Sequence, residues 1–207
     1  MPGTNSDLHG NAPDHSAVAL IVIDMINDLE FPQGEALLGP AIETADRIAA
    51  LKARAKREGI PVIYANDNFG RWRSDFRDVV DHCLHDDVRG RPLAERLIPE
   101  DDDYFVLKPK HSAFFSTTFE TLLQYLGCDR LILTGLSADI CVMFTAMDAY
   151  VRDLAIHVPP DCVLASSPEE TAHTLAYMQR VMRADTTRST ELDLGLLKGG
   201  RGVEDEQ

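Results

Sequence analysis

The 207-residue sequence has no apolar run near the roughly 18 residues that a membrane-spanning helix needs. Its first 16 residues contain neither a basic nor an apolar segment, so they do not resemble a signal peptide. Basic residues are also scarce: 20 Lys and Arg stand against 34 Asp and Glu, for a net charge of −14. Nucleic-acid binding requires clustered basic side chains. These absences predict a cytoplasmic protein with neither a membrane nor a nucleic-acid partner.

Cysteine occurs only at positions 83, 128, 141 and 162, and no two of these have C-x-x-C spacing. In a cytoplasmic chain such thiols stay reduced, and the default interpretation of each is a small buried apolar residue. Internal repeats and low-complexity linkers are absent as well. The sequence therefore predicts a single domain at 17–198, with a mobile N-terminal arm at 1–16 and a mobile tail at 199–207.

Short apolar runs alternate with helical patterns along the chain. Strands are predicted at 17–24, 60–65, 103–108, 130–134 and 155–158, with a short sixth strand near 185–188. Helices are predicted from Pro40, from a capping box at Thr117-x-x-Glu120, from about Asp139 and from Ser167. This alternation predicts a three-layer α/β fold, in which helices cover both faces of a six-stranded, mostly parallel sheet.

Three reactive side chains occupy equivalent places in this pattern. Asp24 ends the first strand, Lys108 ends the third, and Cys141 lies in the turn after the fourth. Ligands bind beyond the carboxyl ends of the strands in open parallel sheets, so the three could meet in one crevice. Each also has a structural interpretation: an Asx turn, a surface lysine with a buried stem, and a buried thiol. A cysteine in the first turn of a helix, however, lies near the positive end of the helix dipole, which lowers a thiol pKa.

Three segments resemble the isochorismatase-like cysteine hydrolases in order and spacing. They are LIVIDMINDLEF at 20–31, VLKPKHSAFFSTTFETLL at 106–123 and LTGLSADICVMFTAMDAYVRD at 133–153. The resemblance extends over residues 17–190. It implies a six-stranded parallel sheet with a Rossmann-like strand order, typically in a homo-oligomer such as a dimer or tetramer.

The resemblance also implies roles for individual residues. Asp24 would be the general base and later acid, Lys108 the electrostatic partner and Cys141 the nucleophile. The backbone N–H groups of Ser137 and Cys141 would form the oxyanion hole, beside a cis peptide bond between Leu136 and Ser137. The implied reaction is hydrolysis of a small amide, ureido or carbamoyl compound through a thioester, with Asp24 activating the final water.

The sequence departs from the nicotinamidases of this superfamily, which carry a D-x-H metal motif after the second strand. Asp67 matches the acidic position, but no histidine follows it nearby. An H-x-x-H pair, His82 and His85, lacks a third strong ligand and is interpreted as a solvated helix face. We therefore predict neither a metal nor another cofactor.

Side chains that follow the second and third strands should face the same crevice. We predict that Asn68, Phe69, Trp72 and Phe114 wall a substrate pocket, with core packing as the alternative for each phenylalanine. His111 could touch the substrate, although a polar loop position is the simpler interpretation.

Two other functions stay open from the sequence. An isochorismatase-type vinyl-ether hydrolase would need an acid that protonates its substrate but no thiol, so the presence of Cys141 argues against it. A non-enzymatic binding protein on the same fold is the second alternative. The presence of all three reactive residues argues against that interpretation.

Overall fold

Strands and helices alternate along the computed structural model, which describes residues 15–70 and 75–199. The strands are β1 (Val18–Ile23), β2 (Val62–Asp67), β3 (Tyr104–Lys108), β4 (Arg130–Leu136), β5 (Ala155–His157) and β6 (Val163–Leu164). The helices are α1 (Gly34–Arg57), α2 (Phe76–His85), α3 (Arg91–Arg96), α4 (Phe119–Leu126), α5 (Met143–Tyr150), α6 (Pro168–Met182) and α7 (Leu194–Lys198). A π-helical turn at Ala138–Val142 leads into α5, and a 3-10 turn at Ser189–Glu191 precedes α7.

The strands pair in parallel in the order β3-β2-β1-β4-β5, and β6 also pairs with β4. β5 and β6 follow one another along the edge of β4 that does not face β1. This is the six-stranded parallel sheet that the sequence predicts. The chain runs outward from β1 to β3 and then returns to β4 on the other side of β1. The strand order therefore reverses between β1 and β4, the place where open α/β sheets bind ligands.

Helices cover both faces of the sheet. All six residues of β1 are buried, as expected for a central strand with helices on either side. Because successive side chains of a strand point to opposite faces, Leu20 packs in one core and Ile21 in the other. The Leu20 core includes side chains of α1, α2 and α3, and the Ile21 core includes side chains of α4, α5 and α6.

The sixth strand lies elsewhere than residues 185–188. β6 is formed by Val163 and Leu164, whereas Asp185 makes only an isolated bridge with His157. The prediction for this strand is wrong, because a strand of two residues is too short to show an alternating pattern.

Two helices begin at residues other than those expected. α1 begins at Gly34, and Pro40 lies inside it at an exposed position. An interior proline removes one backbone hydrogen bond, and exposure allows water to solvate the carbonyl that loses its donor. α4 begins at Phe119 without the predicted capping box. The hydroxyl of Thr117 instead donates to the carbonyl of Ala113 and accepts from the N–H of Phe119, so it stabilises the preceding loop.

The carboxyl ends of β1 and β4 approach each other very closely. Gly135, on β4, pairs with Ile23 on β1 and has a φ of 111°. A Cβ atom at Gly135 would lie 2.0 Å from the carbonyl oxygen of Ile23. Only glycine fits this position, which lies beside the predicted site.

The predicted arm and tail fall largely on residues 1–14 and 200–207, outside the described residues. Ser16, which the arm prediction includes, is buried, and its N–H donates to the carbonyl of Leu126 at 3.0 Å. In the described part of the chain, no helix combines the length and the apolar character needed to cross a bilayer.

Candidate active site

Asp24 is held at the end of β1 by its backbone and by its side chain. Its φ is 52°, a left-handed conformation that aspartate adopts more readily than most residues. Its N–H donates to the carbonyl of Ala65 at 3.1 Å. The residue is 5% exposed, and Oδ1 of its carboxylate accepts from the N–H of Asp67 at 2.7 Å. The carboxylate therefore lies against the edge of the sheet, largely withdrawn from solvent.

Lys108 is fully buried, so it is not a surface lysine with a solvated amine. Its Nζ lies 2.7 Å from Oδ2 of Asp24 and 3.4 Å from Sγ of Cys141. A second carboxylate, Asp67, places Oδ2 3.8 Å from the same Nζ. The ends of β1 and β3 and the turn after β4 thus bring the three predicted catalytic side chains together around one ammonium.

Cys141 is half-buried on the π-helical turn that precedes α5. π-Helical turns are rare and frequently occur at functional sites. Thr145 connects this turn to the loop after β3, because its hydroxyl donates to the carbonyl of Cys141 at 2.7 Å and accepts from the N–H of Ala113 at 3.1 Å. The thiol and the loop that follows Lys108 are therefore held in a fixed relation.

Burial dominates the electrostatics of the cluster. Burial first, and then the carboxylate of Asp24, raise the pKa of the Cys141 thiol to about 12, while Lys108 lowers it. The expected lowering of this pKa by the helix terminus is wrong, because the cost of desolvating a thiolate is larger. Burial also raises the pKa of Asp24, which Lys108 partly offsets. For Lys108, burial lowers the pKa, but Asp24 and Cys141 outweigh it and the pKa is raised.

The elbow between β4 and the π-helical turn has an unusual backbone. The peptide bond from Leu136 to Ser137 is cis. The carbonyl oxygen of Ser137 accepts from the N–H groups of Ile140 and Val142 at 3.2 and 3.1 Å, and its hydroxyl donates to a carboxylate oxygen of Asp139. These bonds fix the turn that presents Cys141.

Two more ionisable side chains lie at the cluster, in addition to the three predicted catalytic residues. Asp67 is the last residue of β2, which lies between β1 and β3. Its position could have been found from the strand order, but the strand was expected to end at Ala65. His111 is exposed, with Nδ1 4.0 Å from Sγ of Cys141 and its ring centroid 5.3 Å from that of Phe144.

The residues after β2 only partly reach this cluster. Asn68 is buried, and its N–H donates to the carbonyl of Lys108 at 3.1 Å, so it lies directly beside the site. Phe69 is 44% exposed. Trp72 lies outside the described residues. A pocket role for these side chains stays a prediction.

Phe114 is buried in the hydrophobic core. Its ring meets the ring of Phe119 edge-on, with centroids 4.8 Å apart, and the guanidinium of Arg152 lies 4.6 Å from its centroid. These contacts favour the core-packing alternative for this residue.

A cavity of about 230 Å³ borders the elbow. Its walls are mainly apolar and include the side chains of Phe31, Leu37, Leu136, Ile140, Leu164 and Ala165. Ser137 and Asp139 add polar groups beside the cis peptide bond. The cavity offers room for a small apolar group next to the turn that carries Cys141.

Across residues 15–70 and 75–199, no group of three His, Cys, Asp or Glu side chains is arranged to hold a metal ion. In the H-x-x-H pair, His82 contacts Asp86 at 2.7 Å and Asp28 at 3.2 Å, while His85 lies 4.0 Å from Asp81. The hydrogen bond with Asp86 is the main cause of a raised pKa at His82. The two histidines of α2 therefore take part in ion pairs with carboxylates.

Comparison with known proteins gives consistent matches. Residues 18–191 match the family model of the isochorismatase domain. The uncharacterized isochorismatase family protein YaaI of Bacillus subtilis is 38% identical over 174 residues, covering 84% of this chain and 95% of YaaI. The isochorismatase of the same organism is 31% identical over 187 residues, covering 86% of this chain and 58% of that protein. The crystal structure of N-carbamoylsarcosine amidase from Thermoplasma acidophilum is similar with a TM-score of 0.61 and 30% identity, over 85% of this chain and 98% of that one.

Proposed function

Because this chain belongs to the isochorismatase domain family, whose hydrolases include amidases, we propose that it is a cysteine hydrolase of a small amide, ureido or carbamoyl compound that acts through a thioester. One observation carries the proposal. Lys108 Nζ lies 2.7 Å from the Asp24 carboxylate and 3.4 Å from the Cys141 sulfur, so a base, a cation and a nucleophile are in contact.

The first step is transfer of the thiol proton to Asp24. A thiol with a pKa of about 12 gives little thiolate at neutral pH, so it needs a base in contact with it. Asp24 hydrogen-bonds to Cys141, and burial raises the pKa of this carboxylate, which makes it a stronger base. The raised pKa of Lys108 keeps its ammonium protonated, and this charge stabilises the thiolate as it forms.

The thiolate then attacks the carbonyl carbon of the substrate. We assign the backbone N–H groups of Ser137 and Cys141 to the oxyanion that develops, because both residues belong to the fixed turn at the elbow. Asp24 returns its proton to the leaving amine as the C–N bond breaks, which leaves a thioester on Cys141. Water hydrolyses this thioester and releases the acid.

The relative named isochorismatase keeps vinyl-ether hydrolysis as a second candidate. That reaction requires protonation of the substrate and no thiol. Alkylation of Cys141 with iodoacetamide separates the two functions, because it should abolish amide hydrolysis and leave vinyl-ether hydrolysis in place. The reactive cluster around Cys141 favours the amidase.

The test is ammonia release from a panel of primary amides, ureido acids and carbamoyl compounds. Wild-type protein should release ammonia from at least one of them. Cys141→Ala should stay folded and lower the turnover of that compound by about 10⁴-fold or more, because no other group of the cluster forms the thioester.

Cys128→Ala is the matched control. Burial also raises the pKa of the Cys128 thiol to about 12, but the charge that acts on it is Asp129, with no lysine contribution. This variant should keep its turnover. Near-wild-type ammonia release by Cys141→Ala would contradict the covalent mechanism. If the wild-type protein released no ammonia from any compound, the amidase proposal would be wrong for these substrate classes.

A further inference from the structure

Asp24 is poorly placed to activate the water that hydrolyses the thioester. Its Oδ1 accepts from the N–H of Asp67 at 2.7 Å, and its Oδ2 contacts Nζ of Lys108 at 2.7 Å. The residue is 5% exposed. A water molecule that enters from solvent would have to displace one of these partners before the carboxylate could take its proton.

His111, by contrast, is exposed and adjacent to the sulfur. Its Nδ1 lies 4.0 Å from Sγ of Cys141. Its ring packs against Phe144, which follows Cys141 by less than one helical turn, with centroids 5.3 Å apart. The hydrogen bond from the N–H of Ala113 to Thr145 holds the same loop against α5. The imidazole is therefore supported by packing, although its edge reaches solvent.

We propose that His111 is the general base for hydrolysis of the thioester, an inference that rests on the proposed cysteine hydrolase function. The imidazole takes a proton from water as the water oxygen bonds to the thioester carbonyl carbon. The tetrahedral intermediate then collapses: the C–S bond breaks, its electron pair goes to Sγ, and the imidazolium returns its proton to that sulfur. The products are the free thiol and the carboxylic acid.

The surroundings of His111 suit this role. The thiol of Cys141 faces it from the π-helical turn, and Phe144 faces it from α5 without adding charge. Lys108 and Lys110 are the basic groups of its own loop, and the carboxylate of Asp24 is held by Lys108. In the described parts of the chain, no carboxylate hydrogen-bonds to the imidazole, so its near nitrogen is available to water beside Cys141.

p-Nitrophenyl acetate tests the proposal without knowledge of the natural substrate. This ester acylates a reactive cysteine, so an initial burst of p-nitrophenolate reports acylation and the steady-state rate reports hydrolysis of the acyl-enzyme. His111→Gln should keep the rate and size of the burst and lower the steady-state rate about 10²-fold. Mass spectrometry should then show acetyl groups accumulating on Cys141.

Two further measurements distinguish base catalysis from a structural role. The steady-state rate of His111→Gln should lose its dependence on pH between about pH 5 and 8, the range in which histidine side chains titrate. Added imidazole should restore hydrolysis in His111→Ala, because the removed side chain leaves room for a free base. A merely structural histidine would show neither effect.

His85→Gln is the matched control, since His85 is another exposed histidine and lies on α2. It should show wild-type kinetics. An unchanged steady-state rate in His111→Gln, or a burst slowed as much as the steady state, would overturn the assignment to thioester hydrolysis. If the wild-type protein gave no burst beyond that of Cys141→Ala, the proposed function itself would fail.

Discussion

At the scale of single residues, the site depends on one buried lysine. Lys108 is fully buried, yet two carboxylates and a thiol surround its ammonium. Moving a charge out of water is costly unless opposite charges compensate for it. Asp24 and Asp67 provide that compensation, and the same arrangement places the ammonium where the thiolate must form. Structural stability and reactivity therefore depend on the same contacts.

Substitution of the two charged neighbours should move the pKa of Cys141 in opposite directions. Lys108→Met removes a positive charge and should raise this pKa, whereas Asp24→Asn removes a negative charge and should lower it. Iodoacetamide reacts with the thiolate, so Lys108→Met should be alkylated more slowly than wild type and Asp24→Asn at least as fast. Both variants should lose turnover.

Lys110→Met is the control for this experiment, because Lys110 is an exposed lysine in the same loop. It should be alkylated at the wild-type rate. Lys108→Met should also lower the free energy of unfolding by about 3–5 kcal/mol, because it leaves a buried carboxylate without its cation. Alkylation is therefore compared well below the unfolding transition. Equal rates in all variants, from mildly acidic to mildly basic pH, would mean that the three side chains do not interact.

At the scale of secondary structure, the site depends on how closely β1 and β4 approach. Asp24 follows β1, and the elbow with Cys141 follows β4, so the distance between these two strand ends sets the distance between base and nucleophile. Gly135 permits the approach. A side chain there would separate the strands where the catalytic groups must meet.

Gly135→Ala should therefore strongly destabilise the protein. Its Cβ would lie 2.0 Å from the carbonyl oxygen of Ile23, and its φ of 111° is unfavourable for alanine. We expect a loss of more than about 4 kcal/mol in the free energy of unfolding, measured by urea titration.

Gly127→Ala separates backbone strain from this steric clash. Gly127 ends α4 with a φ of 75°, but a Cβ atom added there would meet no atom of another residue within 4 Å beyond its own surroundings in the chain. Its substitution should cost only about 1–2 kcal/mol, the strain of a left-handed residue. Equal losses in the two variants would show that contact with β1 does not limit Gly135.

The sequence predicted the elements whose patterns are long and missed those whose structure depends on tertiary contacts. The buried run of β1 and the strand–helix alternation were enough to predict the parallel sheet. β6 was not predictable, because its two residues are defined only by pairing with β4. Asp24, Lys108 and Cys141 were found because each ends a strand or follows one. Their meeting is confirmed by the structure, but the raised pKa of Cys141 depends on burial, which no local pattern reveals.

At the scale of the whole molecule, the absence of a metal is still a prediction. Lys108 supplies a positive charge between Asp24 and Asp67, so these carboxylates have a cation without any metal. Dialysis against a strong chelator should leave amide hydrolysis within about twofold of the untreated level. Ammonia release before and after dialysis measures this. Complete loss of activity that zinc or iron restores would show that the segment from Asp67 onward binds a metal. The expected homo-oligomer also stays a prediction.

The pairing of β1 with β4 has a consequence for folding. These strands lie side by side, yet β2, β3 and their helices separate them in the chain. Such non-local parallel pairs form slowly, because a long loop must close before any contact rewards the closure. The helices can form locally, but Asp24 and Cys141 come together only after β4 has docked on β1. Recovery of activity during refolding should therefore report completion of the central sheet, and it should lag behind the return of helical signal.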